Sequence, residues 1–153
     1  MRGDGDVIQT WSVKPKGESL RRLYALFDGV GKVFYQIKED QEIRDRLESS
    51  EVRVYIEEGM YGGGKEPIRM MARNSALVGE ARGTIITLAW LEGWKVNKMA
   101  IASWKSLLTK TERAMPKNSE YVRYWNISLG LDASSPDEID AYFIARRAVR
   151  GKA

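Results

Sequence analysis

A short run of β-branched and aromatic residues, Val52 to Ile56, sits between two long stretches that keep helical spacing. Such a run reads as a buried strand, because branched and aromatic side chains suit a pleated, packed surface. Upstream, Glu18 to Leu47 reads as helix, with Leu20, Leu23, Tyr24, Phe27, Val30, Phe34 and Ile37 at helical intervals. Gly29 and Gly31 weaken its middle and mark an expected kink. Downstream, Pro67 opens a second long helix to about Leu91, with Met71, Ser75, Val78, Arg82, Ile85 and Ala89 on one face. Val96 to Ala100 follows as a short strand and Ser103 to Thr109 as helix. Lys110 to Asn118 reads as a basic loop, Ser119 to Ser128 as helix and Leu129 to Ser135 as a connector. Near the N-terminus, Asp4-Gly5-Asp6 has hairpin-turn chemistry, and Val7 to Val13 alternates around Ile8 and Trp11 like a strand. No repeat, low-complexity tract or linker interrupts the pattern, so residues 1–153 are expected to form one domain.

Composition removes most reaction chemistries. The chain has no histidine and no cysteine. That excludes a Ser-His-Asp triad, a thiol nucleophile, disulfides and the common zinc sites. Carboxylates, lysines and a bound metal are what remain for hydrolytic work. Lack of cysteine suits a reducing cytoplasm. No apolar run approaches the roughly 18 residues that would span a membrane. The start, Met-Arg-Gly-Asp-Gly-Asp, lacks the apolar stretch of a signal peptide. A net charge of +4 permits a phosphate-bearing partner without demanding one.

The acidic residues carry the sharper signal. Glu57 closes the Val52–Ile56 strand, and Asp137 and Asp140 stand one helical turn apart in the last helix. That helix is well specified, with Ser135 as cap, Pro136 at its first position and Glu138 placed to close a capping box. Acids in a first turn favour the helix dipole, which accounts for Asp137 but gives Asp140 little. Residues 137, 140 and 144 share a face, and apolar Ile144 suggests that this face turns toward the sheet. Two aspartates facing inward need a counter-charge, and a hard metal ion suits them. Alternation does not decide between Glu57 and Glu58. The loop Gly59-Met-Tyr-Gly-Gly-Gly-Lys65-Glu66 nearly spells a P-loop, but Glu66 stands where a magnesium-binding hydroxyl belongs. From Lys95 to Arg123 there are seven basic residues and two acidic ones, interleaved with Trp94, Trp104, Tyr121 and Trp125. A solvated face is the ordinary reading of such a run, and a phosphate-tracking surface the functional one.

Tyr-Ile-Glu57-Glu, Gly79-Glu-Ala-Arg82-Gly83 and Asp137-Glu-Ile-Asp140-Ala141 together resemble the RuvC-type Holliday-junction resolvases, the phage members above all. The similarity covers about residues 50 to 150. It implies an α/β fold of the RNase H-like superfamily, a mixed sheet with flanking helices. It also implies a homodimer that cuts four-way DNA junctions with Mg2+ or Mn2+, in a bacterial or phage-infected cell. By the same resemblance Glu57, Asp137 and Asp140 are the catalytic and metal-binding acids, and the choice falls on Glu57 rather than Glu58. Lys105, after Trp104, and Lys117, before Asn118, match the lysines that hold DNA phosphates. Arg82 matches the helix motif, and Met60 or Tyr61 is nearest to the aromatic residue that positions DNA.

One family feature has no counterpart. The leading aspartate of the family lies on a first strand, before the hairpin, and Asp4 and Asp6 fall in the turn that should follow it. The expectation is a domain without its first strand, either truncated or without a complete nuclease centre. Such a chain would bind branched DNA and cut it poorly. The rival readings are a catalytically inactive junction-binding protein and a metal nuclease for other branched or replicating DNA.

Overall fold

Parallel strands cannot be joined by a tight turn; they need a crossover of about a dozen residues or more. Here a helix supplies it. In the computed structural model, which describes residues 10–40, 45, 52–58 and 68–150, β1 (Arg53–Glu58) and β2 (Lys95–Ala100) pair in a two-stranded parallel sheet. Between them runs α2 (Ile68–Leu91), and before them α1 (Ser19–Glu39). After β2 come α3 (Ile101–Lys105), α4 (Lys110–Ala114), α5 (Ser119–Leu129) and α6 (Pro136–Val149). The protein thus mixes helix and strand. It divides into two compact units, residues 13–97 and residues 1–12 with 98–153, the division falling inside β2. The expected hairpin at Asp4–Asp6, the first residues of the Val7–Val13 strand, and the glycine loop with Met60, Tyr61 and Pro67 lie outside the described residues. Within that strand's range, Thr10 to Val13 forms no regular structure.

In the unit of residues 13–97, α1 packs on α2. Leu26, Val30 and Phe34 are buried at successive turns against Ala89, with Ala81, Ile85 and Leu88 around them. Phe34 meets Trp94 at 4.8 Å between ring centroids. Arg22 pairs with Glu80, and Lys38 with Glu92 at 2.8 Å. The apolar positions of α1 are more numerous than one face can bury. Leu20 and Tyr24 therefore remain 61% and 67% exposed, although they share the expected periodicity. The helix ends at Glu39; of the rest of the expected stretch to Leu47, only Asp40 and Asp45 are among the described residues, and Asp45 is helical. Asp40 takes extended backbone and donates its N–H to Gln36 at 2.9 Å. The polar run Lys38-Glu-Asp-Gln41 offers no apolar side chain to bury there.

The other unit has an aromatic core. Trp104, Tyr121, Trp125, Ile139, Tyr142 and Phe143 are all buried. Asn118 caps α5 by accepting from the backbone N–H groups of Glu120 and Tyr121 at 3.0 and 3.2 Å. Gly130 ends that helix at φ +66°, a left-handed conformation that costs glycine nothing. Asn126 then bonds both backbone groups of Ala133 at 3.0 Å, which folds the connector onto α5. Within the segment expected to be a basic loop, residues 110–114 are helical. Thr109 closes a capping box there: its hydroxyl accepts from the Glu112 N–H, while the Glu112 carboxylate accepts from the Thr109 N–H.

The two central glycines of α1 differ in surroundings. A Cβ on Gly29 would stand 2.5 Å from a Val13 methyl, whereas one on Gly31 would meet nothing within 4 Å. Gly29 marks a close approach of Val13 to the helix. Gly29→Ala should therefore lower stability by about 1–3 kcal/mol, as overpacking does. Gly31→Ala should raise it by about 0.4–1 kcal/mol through helix propensity and unfolded-state entropy. Urea denaturation of the two variants reads the opposite signs.

The Glu112 carboxyl is held below its ordinary range, first by the Thr109 backbone bond and further by the hydroxyls of Thr109 and Tyr124, against a smaller effect of burial. A depressed folded-state value means that its stabilisation is present above the unfolded value and is lost as pH falls through the folded one. The difference in melting temperature between the protein and Glu112→Gln should accordingly be constant near neutrality and shrink in the acid range below the ordinary glutamate pKa.

Candidate metal and nucleic-acid site

The first two turns of α6 carry three acids, and the structure gives each a different environment. Successive helical residues are turned by about 100°, so Asp137, Glu138 and Asp140 cannot share a face. The inward face is Glu138, Ile139, Tyr142 and Phe143. Asp137 is exposed and Asp140 partly buried at the edge of that face. The expected inward face of 137, 140 and 144 is thus corrected. The pair Tyr142–Phe143, one turn beyond Ile139, brings more apolar surface to bury than Ile144 does.

Glu138 is the residue whose role was not foreseen. Only 5% exposed, it accepts from the Thr10 hydroxyl at 2.7 Å, from the Ser134 backbone N–H at 3.2 Å and from the Ser134 hydroxyl. Ser135 caps the helix by accepting from the Glu138 N–H at 3.4 Å. The Glu138 side chain reaches past that cap to Ser134, and so serves the packing of the N-terminal segment as well as the helix start.

Asp140 is held by two groups from around the start of α5. Its Oδ1 accepts from the Tyr121 hydroxyl at 3.1 Å and from the Lys117 ammonium, which also donates to the Tyr121 hydroxyl at 3.0 Å. Asn118 caps the helix, so Lys117 stands just before it and Tyr121 in its first turn. The Lys117 Nζ lies 4.4 Å from the Tyr121 ring centroid and 5.6 Å from that of Trp104. Lys105 Nζ also lies 5.6 Å from the Trp104 centroid. Two lysines singled out in sequence, Lys105 and Lys117, therefore lie over one buried indole, and Asp140, also singled out, pairs with Lys117. Tyr121 joins them, and its spacing of four from Lys117 was the available signal.

The electrostatics are consistent with that geometry. Burial works against the Lys117 ammonium, but the bonds to Asp140 and Tyr121 and the Asp140 charge outweigh it and hold the pKa above the ordinary lysine value. Burial pushes the Tyr121 phenol up, the neighbouring Asp140 charge adds to this, and the Lys117 bond opposes it. Tyr121 thus remains a protonated donor at neutral pH.

Glu57 and Arg82 belong to the other unit. Glu57 is partly buried at the end of β1, next to buried Ile56, and Glu58 is exposed. Arg82 is partly buried on α2, and Tyr61 lies outside the described residues. Among the described residues no three acidic side chains are grouped as a metal centre. The chemistry of the donors around Asp140 nevertheless fits a hard cation. Mg2+ keeps several waters and takes one or two carboxylates; at this place it would have Asp140, with Asp137 one turn earlier on the same helix, and it would compete with the Lys117 ammonium that pairs with Asp140. No helix among the described residues is long and apolar enough to cross a membrane.

The Glu138 cluster can be tested directly. Thr10→Val removes a donor from a buried carboxylate and should cost about 1–3 kcal/mol. Glu138→Ala should cost at least as much. An unchanged denaturation midpoint in Thr10→Val would separate the N-terminal segment from the stability of this unit.

Comparison of the chain with protein-family models, curated proteins and solved structures finds no match. The functional reading rests on the residues themselves.

Proposed function

We propose that this protein is a RuvC-type endonuclease of the RNase H-like fold that cuts four-way DNA junctions with Mg2+ or Mn2+, working as a homodimer. The observation that supports it is the meeting of Lys117 and Asp140 across 23 residues of chain. One was singled out for DNA phosphate and the other for metal. Lys105, over the same Trp104 ring, adds a second phosphate-binding cation.

In this reading Asp137 and Asp140 hold the metal. Bound divalent ions would activate water and stabilise the leaving 3′ oxygen in phosphodiester hydrolysis. The chain's own groups prepare for that step. Tyr121 orients Asp140 through a buried hydroxyl. Trp104 supports both ammonium groups on its face, where cation–π attraction holds them close without neutralising their charge. Lys105 and Lys117 then meet the DNA backbone as point charges on flexible stems. Arg82 and Tyr61 are carried over from the resemblance as further DNA contacts.

The test uses a synthetic four-way junction with and without chelator. Tight junction binding with only weak, chelator-sensitive cleavage is expected, because the leading aspartate has no counterpart, and Asp140→Asn should lower that residual cleavage by a further ~10–100-fold. Lys105→Ala and Lys117→Ala should each flatten the salt dependence of junction binding by about one unit of logarithmic slope. Tight binding with no chelator-sensitive cleavage would assign the chain to junction binding alone. An unchanged slope in both lysine variants would place the DNA on another surface.

A further inference from the structure

Two donors share one carboxylate oxygen at the candidate site, and they differ in freedom. Oδ1 of Asp140 accepts from Tyr121 and from Lys117, which occupies both of its lone pairs. The Tyr121 side chain is 1% exposed and wedged in the aromatic core, edge-on to Trp125. The Lys117 side chain is 41% exposed and ends a flexible stem. A hard cation arriving at Oδ1 must displace one of them, and only Lys117 can move without opening the core.

The displaced ammonium has somewhere to go. It already lies over the Trp104 ring at 5.6 Å, the same distance as Lys105. With Asp140 taken by a divalent ion, two ammonium groups would stand beside one indole, and Lys117 would have lost its acid. That arrangement attracts a phosphate.

Resting on the proposed role of Asp140 in metal binding, we infer that Lys117 is an exchangeable cation: it neutralises Asp140 in the metal-free protein and passes to a DNA phosphate when a divalent ion takes that carboxylate. Metal and DNA then assist each other's binding, since linkage makes such coupling reciprocal. Tyr121 stays on Asp140 throughout as a positioning residue. The ammonium also keeps an otherwise unpaired, half-buried acid neutralised until metal arrives.

Two binding measurements on the full chain test this without reading cleavage. Mn2+ alone is titrated into the protein and into Lys117→Gln, Lys117→Arg, Tyr121→Phe and Asp140→Asn, by calorimetry and by the Mn2+ electron-spin signal. Lys117→Gln should bind Mn2+ about fivefold or more tightly, the lower end of ordinary coupling between sites. Lys117→Arg, which keeps the competing charge, should remain near the parent. Tyr121→Phe should weaken binding through lost orientation of Asp140. In the second measurement, junction binding is followed in chelator. Asp140→Asn should strengthen it by freeing Lys117, and the gain should vanish in the double variant with Lys117→Gln.

If Lys117→Gln binds Mn2+ no better than the parent while Asp140→Asn loses it, the exchange is overturned and the metal site stands. If Asp140→Asn binds Mn2+ as the parent does, or no form binds it, the metal reading fails and the exchange with it. Circular dichroism melts confirm that each variant is folded before titration.

Discussion

Phe143 meets Trp125 edge-on at 4.7 Å and lies nearly parallel to Trp104 at 6.4 Å, so a single ring on α6 joins α3 and α5. Aromatic pairs of this kind contribute about 0.5–1.5 kcal/mol each beyond the area they bury. Their directionality matters as much here. It fixes the indole on which two lysines rest and the helix from which Tyr121 reaches Asp140. Tyr142 packs edge-on against the same Phe143 ring at 5.1 Å, which sets the rotation of α6 about its axis. The Arg147 guanidinium donates to the Ser103 hydroxyl at 3.3 Å and ties the far end of α6 to α3.

That rotation explains why neighbouring acids have different tasks. With Ile139, Tyr142 and Phe143 turned inward, Glu138 is carried into the core and needs partners, which Thr10 and Ser134 supply. A buried carboxylate without donors would cost several kcal/mol or lose its charge, so Glu138 is committed to structure. Asp137 faces water. Asp140 lies between these extremes: sheltered enough to be oriented by Tyr121, open enough to be reached by a lysine or a cation. A single helical turn thus holds a structural acid, a solvated acid and one paired with a lysine.

The basic stretch from Lys95 to Arg123 divides in a comparable way. Lys105 and Lys117 converge on Trp104, and Lys117 is neutralised by Asp140. Arg113 stands at the end of α4, where a cation complements the helix dipole. A run that looks uniformly cationic in one dimension therefore contains two residues aimed at one place, with an aromatic floor beneath them. In the other unit the same economy is seen with apolar residues. Leu26, Val30 and Phe34 are used by the core, while Leu20 and Tyr24 on the same helix are not.

Local chemistry was legible in the sequence wherever a neighbour within four residues decides the outcome. The Val52–Ile56 run became β1 with Glu57 at its end, and Pro67 to Leu91 was read within a residue of α2. Ser135 and Pro136 start α6 as read, because capping bonds and proline's fixed φ need nothing from the rest of the fold. The tertiary structure decided which face of each helix is covered, and through that what each polar side chain does. Helical periodicity offered more apolar positions on α1 than one face can bury, and on α6 it pointed to the face of 137, 140 and 144. The choice was made by Ala89 and its α2 neighbours Ala81, Ile85 and Leu88 in one case and by Trp104 and Trp125 in the other, residues distant in the chain. Glu138 was taken for a capping residue because its partner Thr10 lies 128 positions away. Tyr121 was read only as an aromatic within the basic run; it is buried in the core, and its hydroxyl reaches Asp140, a contact that exists only once α5 and α6 have packed.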